Sequence, residues 1–297
     1  MAKTLHFSNS AYIDWNTCRR KYFNSYILNI ETKKKSKALA IGIISHDALA
    51  AFYRVRKEGG SVEEARKASD ELLIDYLNNK ASEFGLDRIL MVKRVIAAYH
   101  DYYGEDANWE ILAVEEAFFL GLVEGIDMPM RLDLLVREKS TDKVRLVDSK
   151  LTYNFYQPIQ ETLNPQFPKY IATLENKGIR VDSVMTNQLR YREMKPESMY
   201  PENLFKRTYP VVTRDKIQKT LSMHLTSARQ AQVFHSLPRA AQEQAATMLL
   251  KPAVCKYCSF ADLCEAQLDG IDTSVFVPSR FKDRDYNYDI TELESVE

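Results

Sequence analysis

The sequence predicts an α/β (α+β) fold, with strands gathered mid-chain and helices on both sides. Three observations predict it. Residues 130–150, MRLDLLVREKSTDKVRLVDSK, form a hairpin pattern. Its first strand, 130–137, alternates around Leu132, Leu134 and Val136; its second, 144–149, carries Val144 and Leu146 ahead of Asp148. Lys139, Ser140, Thr141 and Asp142 supply the turn. Long stretches with helical spacing precede this hairpin, and others follow it.

In chain order, Ser8 or Ser10 caps a first helix running to about residue 29, with Tyr12, Ile13, Trp15, Tyr22, Phe23 and Ile27 at roughly helical spacing. Cys18 lies on it, followed by Arg19, Arg20 and Lys21. Lys33, Lys34, Lys35 and Lys37 make a second basic run in a loop. Each run is either a solvated face or a contact to a DNA backbone. Residues 38–57 form a helix rich in small side chains around His46, with Gly42 on the same face. On local pattern alone His46 is either a satisfied core histidine or a ligand. Gly59 and Gly60 break the helix. Ser61 and Glu64 make a capping box that opens a helical insertion over 61–104, with helices at 62–80 and 87–103. His100, Tyr102 and Tyr103 are packing or surface groups.

From Trp109 the pattern turns to a strand, ILAVEEAFFL, in which Glu115 and Glu116 either approach the site or, the favoured reading, belong to a solvated strand end. Residues 124–130 make a Gly- and Pro-marked turn into the hairpin. A loop over 151–158 leads to a helix entered near Pro168 and ending near Leu174; proline is tolerated there in the first turn. A strand follows at 181–192, then a Pro-rich loop to Pro210. Thr213 caps a long helix to about His235, and 237–250 continues the helical part. Residues 267–297 have little periodicity and predict an extended tail, packed by Phe276 and Phe281.

With 297 residues the chain can bury one large core. Its 41 basic and 41 acidic residues cancel, so no global field draws it onto a polyanion and any such site is local. No apolar run approaches the ~20 residues of a membrane span, and the start, MAKTLHFSNS, lacks the apolar core of a signal peptide. The expectation is a cytoplasmic protein without membrane partners. The four cysteines are Cys18 and the C-x2-C-x5-C set Cys255, Cys258 and Cys264. In a reducing compartment two disulfides are not expected. Zinc remains open, but its sites usually pair two short C-x2-C units. One such unit with a remote single cysteine suits an iron–sulfur cluster better. Either metal would staple the first helix to the C-terminal segment.

Asp133 and Asp148 are carboxylates in a stretch of Leu and Val. Lys150 lies two residues past Asp148, on the same strand face. Two carboxylates and an ammonium converging at a sheet suit a hard divalent cation and a phosphate.

The order His46, Asp133, Asp148-Ser149-Lys150, Gln166-x3-Tyr170, bracketed by Cys18 and C-x2-C-x5-C, resembles the PD-(D/E)XK nuclease superfamily in its RecB-like branch with an iron–sulfur cluster. CRISPR-associated adaptation exonucleases and AddB-type nuclease domains belong to that branch. The resemblance runs from about residue 8 to 264. It implies a restriction-endonuclease-like core, a central mixed sheet flanked by helices. One nuclease domain would span 1–264: a His-bearing helix at 38–57, the insertion at 61–104, the catalytic sheet at 109–192, C-terminal helices at 211–250 and a cysteine loop at 255–264. Residues 265–297 would be the tail. By the same resemblance His46, Asp133, Asp148 and the Ser149 carbonyl hold a catalytic Mg2+ or Mn2+. Lys150 positions the attacking water or stabilises charge. Gln166 and Tyr170 orient Lys150 or the DNA, and the four cysteines hold a [4Fe–4S] cluster.

Three departures from the family pattern stand out. Arg-Arg follows the first cysteine in place of Pro-Arg, Asp148 stands where Glu is frequent, and Met-Arg-Leu-Asp replaces Gly-Arg-Ile-Asp. None removes a ligand. The implied activity is metal-dependent hydrolysis of DNA, as an exonuclease on single strands or ends, in processing, recombination or replication. Two alternatives stand beside it: trimming of spacer precursors in a CRISPR adaptation complex, and a catalytically weak iron–sulfur scaffold that binds DNA. Protein partners would come from those complexes; oligomeric state is not encoded in any pattern here.

Overall fold

A computed structural model describes residues 4–103, 106, 108–191 and 200–284. The chain opens with β1 (Leu5–His6), α1 (Asn9–Thr17), α2 (Arg19–Tyr22), a π-helical turn (Phe23–Ile27) and β2 (Ile30–Thr32). Then come α3 (Lys37–Lys57), α4 (Val62–Asn79), α5 (Ala81–Phe84), α6 (Leu86–Tyr103), β3 (Trp109–Val123), β4 (Ile126–Glu138) and β5 (Lys143–Thr152). The second half holds α7 (Pro158–Thr162), α8 (Gln166–Asn176), β6 (Ser183–Arg190), α9 (Pro201–Leu204), β7 (Phe205–Thr208) and α10 (Arg214–Ser236). It ends with α11 (Arg239–Ala245), α12 (Pro252–Cys255), α13 (Ala261–Leu268), α14 (Phe276–Arg280) and β8 (Phe281–Asp283). The result is a mixed α/β fold with a central mixed sheet flanked by helices. Where the sequence suggested one domain over 1–264, the chain divides into two compact units: 1–34, 117–130 and 218–297 form one, and 35–116 with 131–217 form the other.

The second unit carries the sheet core. β4 pairs antiparallel with β5 from Leu134↔Val147 to Glu138↔Lys143. β5 then runs parallel to β6, with Asp148 opposite Thr186 and Lys150 opposite Gln188. A parallel pair needs a crossover, and α7 and α8 supply it. β7 closes the order antiparallel to β6, and β3 lies on β4. Helices α3, α4 and α6 bury Ile41, Ile44, Phe52, Leu73, Ile89 and Ile96 against Leu134, Val136, Val147 and Met185 of the sheet. Each such side chain contributes roughly 1.5–3 kcal/mol. Among the described residues α3 is the one helix long and apolar enough to cross a membrane by length and composition; half of that apolar window is buried within the protein. The Ser61–Glu64 capping box forms as expected, and Ser36 caps α3.

Several expectations change here. The turn expected over 124–130 shrinks to Glu124 and Gly125, whose φ of +79° suits glycine. Residues 126–130 are already strand, because backbone pairing of Ile126 with Leu5 outweighs the local Gly and Pro signals. The loop to Pro210 contains α9 and β7, a short edge strand whose FKRT sequence shows no alternation to read. Residues 192–199, including the end of the strand expected over 181–192, lie outside the described residues, as does residue 104 of the insertion.

In the first unit β1 runs parallel to the start of β4. The single helix expected over 8–29 is broken. Ser8 caps α1 as expected, but Cys18 is extended (φ −153°, ψ 114°) and the next turns are α2 and the π-helical turn. The break has a tertiary cause: Arg20 N–H bonds the Thr247 carbonyl at 3.0 Å instead of a carbonyl of its own helix. The extended tail expected from residue 267 is also revised. α13 runs to Leu268, α14 follows, and β8 pairs antiparallel with β2, Ile30 opposite Asp283. Phe281 stacks on Phe260 at 5.4 Å and packs with Phe276, so both tail aromatics do pack. Residues 285–297 lie outside the described residues.

Candidate active site

Four elements of the second unit converge on one group of side chains. α3 delivers His46, β3 Glu115, β4 Asp133, and β5 Asp148, Ser149 and Lys150. His46 Nδ1 lies 3.4 Å from Glu115 Oε1 and 3.5 Å from Asp133 Oδ1. One ligand atom from each of these three residues falls within 4.8 Å of the others, a separation suited to one metal ion. Asp133 Oδ2 accepts the Ser149 N–H at 2.7 Å. In an extended strand a residue's N–H and C=O point to the same side, so this bond turns the Ser149 carbonyl toward Asp133 as well.

Asp148 is almost wholly buried. Its Oδ1 accepts from Lys150 Nζ at 2.8 Å and from Gln166 Nε2 at 2.9 Å. Its Oδ2 is buried and has no hydrogen-bond partner among the described residues. An orphaned carboxylate oxygen is costly in a folded interior. Burial pushes the Asp148 carboxyl up, opposed by the Lys150 ammonium, while Asp133 adds to the rise. Lys150 loses hydration by burial, yet Asp148 and Asp133 outweigh that and hold it firmly charged. Burial likewise opposes the charged form of His46, but Asp133 and Glu115 raise it to about 9. The site thus carries more negative charge than its own cations neutralise, the condition under which a hard divalent cation binds oxygen ligands.

The expected residues do come together, with changes of partner. Gln166 holds Asp148, not Lys150. Tyr170 donates its hydroxyl to the Arg131 carbonyl at 2.9 Å, tying α8 to β4. Pro168 sits in the first turn of α8, where its missing N–H costs nothing. Asp148 lies outside the tight trio, whose third member is Glu115. Of the two readings of Glu115, the structure supports approach to this cluster over strand-end solvation. The Glu115 backbone is exceptional, with φ +50° in mid-strand. For a non-glycine residue that conformation marks local strain, which concentrates at functional sites.

The first unit holds a second site. Cys18, Cys255, Cys258 and Cys264 all line one cavity of about 310 Å³, closed by Met248, Leu249 and Phe260. Burial pushes the Cys258 thiol up, and burial with the neighbouring thiols pushes Cys264 up to about 11; Lys21 and Arg20 act in the opposite sense. No three of the sulfurs lie within 4.8 Å of one another. The basic run beside Cys18 is engaged: Lys21 pairs with Asp14 at 2.7 Å, and the Arg19 guanidinium lies 3.6 Å over the Trp15 ring.

Residues 6–265 match the family model of the PD-(D/E)XK nuclease superfamily. The chain belongs to that superfamily. No curated protein matches the sequence. Among solved structures it is similar to a protein described as a "Putative exonuclease" from Eubacterium rectale, at 12% identity over 83% of this chain and 90% of that one, with a TM-score of 0.46. A second, SSO0001, is similar at 14% identity over 75% of this chain and 85% of that one, with a TM-score of 0.32.

Proposed function

We propose that the protein is a metal-dependent DNA nuclease of the RecB-like branch, an exonuclease acting on single strands or DNA ends in DNA processing. The observation that carries this reading is the meeting of His46, Glu115 and Asp133 beside the Asp148–Lys150 pair. His46, Asp133, Asp148 and the Ser149 carbonyl, joined by Glu115, would hold Mg2+ or Mn2+. The imidazole among the carboxylates favours tolerance of Mn2+. Such a cation would supply Lewis-acid chemistry, lowering the pKa of water and polarising the phosphate. The chain's own groups supply the rest. Lys150, kept charged by Asp148, faces the developing negative charge on the phosphorane. Gln166 fixes the Asp148 rotamer, leaving Oδ2 free toward the cation. Tyr170 holds α8, and with it Gln166, in register with β4.

The four cysteines would hold a [4Fe–4S] cluster as a fold-stabilising staple within the first unit. The C-x2-C-x5-C spacing with a remote fourth cysteine, and the cavity that all four line, support this reading, and Lys21 and Arg20 would offset its negative charge.

The test is anaerobic purification with a visible spectrum and iron and sulfide counts, then digestion of end-labelled single- and double-stranded DNA with Mn2+. A brown protein holding about four irons that shortens DNA only with metal is expected. A protein that binds DNA and leaves it intact under every divalent ion would overturn the nuclease reading. A colourless protein containing zinc would overturn the cluster while leaving the nuclease intact.

A further inference from the structure

The loop that leaves β5 after Thr152, two residues past Lys150, is aromatic: Tyr153, Phe155 and Tyr156 within four positions. With Tyr191 after β6 these side chains line a groove of about 480 Å³, a size that suits small organic ligands. Tyr153 is 52% exposed and meets Tyr191 edge-on, ring centroids 5.7 Å apart. Phe155 is flanked by cations, the Arg190 guanidinium at 4.2 Å and the Lys206 ammonium at 6.0 Å from its ring.

The loop is anchored from beneath. Tyr156 N–H donates to Gln188 Oε1 at 2.7 Å, and the fully buried Gln188 donates in turn to Glu161 at 2.7 Å. Glu161 also accepts the Thr208 hydroxyl. Nothing in the proposed hydrolysis uses this buried chain of contacts; it fixes an aromatic loop in place. The groove adjoins the candidate site along β5 itself, because Leu151 and Thr152, the two residues after Lys150, also line it.

We propose that this groove takes one unpaired base of single-stranded DNA, next to the phosphate gripped at Lys150, with Tyr153 and Tyr191 as the stacking surface. The proposal rests on the nuclease reading and names what that site selects. Base stacking on an aromatic side chain is indifferent to sequence but requires an exposed base face. A base inside a duplex has both faces covered and must be unstacked to enter. Arg190 and Lys206 supply charge for the neighbouring phosphates. The groove therefore discriminates single strand from duplex, and fraying ends from closed ones, without reading sequence.

The test uses the full-length protein without divalent metal, so that no cutting occurs. The probes are single-stranded oligonucleotides with one 2-aminopurine at either end, and their duplexes. Wild type should quench the fluorophore at one end of the single strand and bind duplex more weakly. Tyr153→Ala should bind the single strand about tenfold more weakly and lose the quenching, and Tyr153→Phe should restore both. Replacing the stacked nucleotide by an abasic one should cost wild type a similar factor and leave Tyr153→Ala unaffected. Tyr153 is exposed, so unchanged melting temperatures are expected for both variants. Equal affinity and quenching in wild type and Tyr153→Ala would overturn the proposal, as would a wild type that never quenches. Digestion in Mn2+ separates the two readings. Cutting that Tyr153→Ala leaves unaltered on single strand and duplex sinks the groove alone. Quenching without any cutting upholds the groove and sinks the nuclease.

Discussion

The second unit contains two buried clusters of charge, and they are built to opposite rules. In the first, the Arg207 guanidinium takes both Asp106 oxygens at 2.8 Å and the Tyr99 hydroxyl at 3.0 Å, while lying 3.7 Å over the Tyr103 ring. Tyr53 bonds both Tyr99 and Asp106, and Asn187 donates to Tyr99. Charge is matched and the lone pairs are used. In the second, Glu115, Asp133 and Asp148 face His46 and Lys150, and Asp148 Oδ2 is left with no hydrogen-bond partner among the described residues. A saturated cluster can only hold the fold together. An unsaturated one keeps capacity for a cation and a reacting phosphate. The contrast matters because both clusters are buried and both perturb their ionisable groups; saturation, not perturbation, separates architecture from chemistry.

The strongest way to sharpen this contrast is to remove the charge of Asp148. Asp148→Asn should lower Mn2+-dependent cleavage by about 10³-fold or more. Retained cleavage in a gel assay would place the chemistry elsewhere. Next comes Arg207→Met, which strands Asp106. It should cost about 3–5 kcal/mol in urea unfolding, with cleavage by the remaining folded protein kept. A small stability cost accompanied by lost cleavage would reverse the roles assigned to the two clusters. Glu115→Gln should weaken Mn2+ binding roughly 10–100-fold, as loss of a metal-site carboxylate does, and excess metal should restore the rate. An unshifted metal titration would return Glu115 to a structural role.

The smallest effect is on pH. His46 and His100 are both on helices of the second unit, yet burial against Phe52, stacked at 4.1 Å, lowers His100 to about 4 while His46 is raised to about 9. The raised His46 adds stability that is fully present below its unfolded value of ~6.5 and is lost as pH rises through about 9. The lowered His100 acts oppositely. Its unfolded form gains a proton below ~6.5 that the folded form resists until about 4, so stability falls as the solution is acidified. Melting curves of metal-free protein should show both limbs. His46→Gln should flatten the alkaline limb and His100→Leu the acid one. Added Mn2+ should abolish the alkaline loss, because the cation takes the place of the imidazole proton.

Much of this was legible in the sequence because the signals were local. The hairpin's alternation, the Ser61–Glu64 box, the Thr213 cap and the helical spacing of α3 are each set by neighbours a few residues apart. Asp148, Lys150 and Gln166 were also legible, as charged or polar groups in a stretch that otherwise belongs to a core. What escaped depends on distant partners. Glu115 enters the site through a backbone reversal in mid-strand that its own sequence does not announce. Cys18 breaks its helix because Thr247 offers Arg20 a competing acceptor. β7 and β8 are three or four residues long, and each becomes a strand only when a partner lies alongside it.

The division of the chain sets an order in time. The unit bearing the carboxylates is drawn from 35–116 and 131–217, whereas the cysteine-bearing unit is drawn from 1–34, 117–130 and 218–297. At ~5–20 residues per second of synthesis, the segment bearing Cys255, Cys258 and Cys264 leaves the ribosome roughly 12–47 s after Cys18. The carboxylate cluster can therefore be complete on the nascent chain while the N-terminal thiol still waits for its partners. On the cluster reading proposed above, loading of the inorganic group would be the last step of maturation, and a cell short of iron would accumulate chains with a complete carboxylate cluster and an unclosed cysteine site.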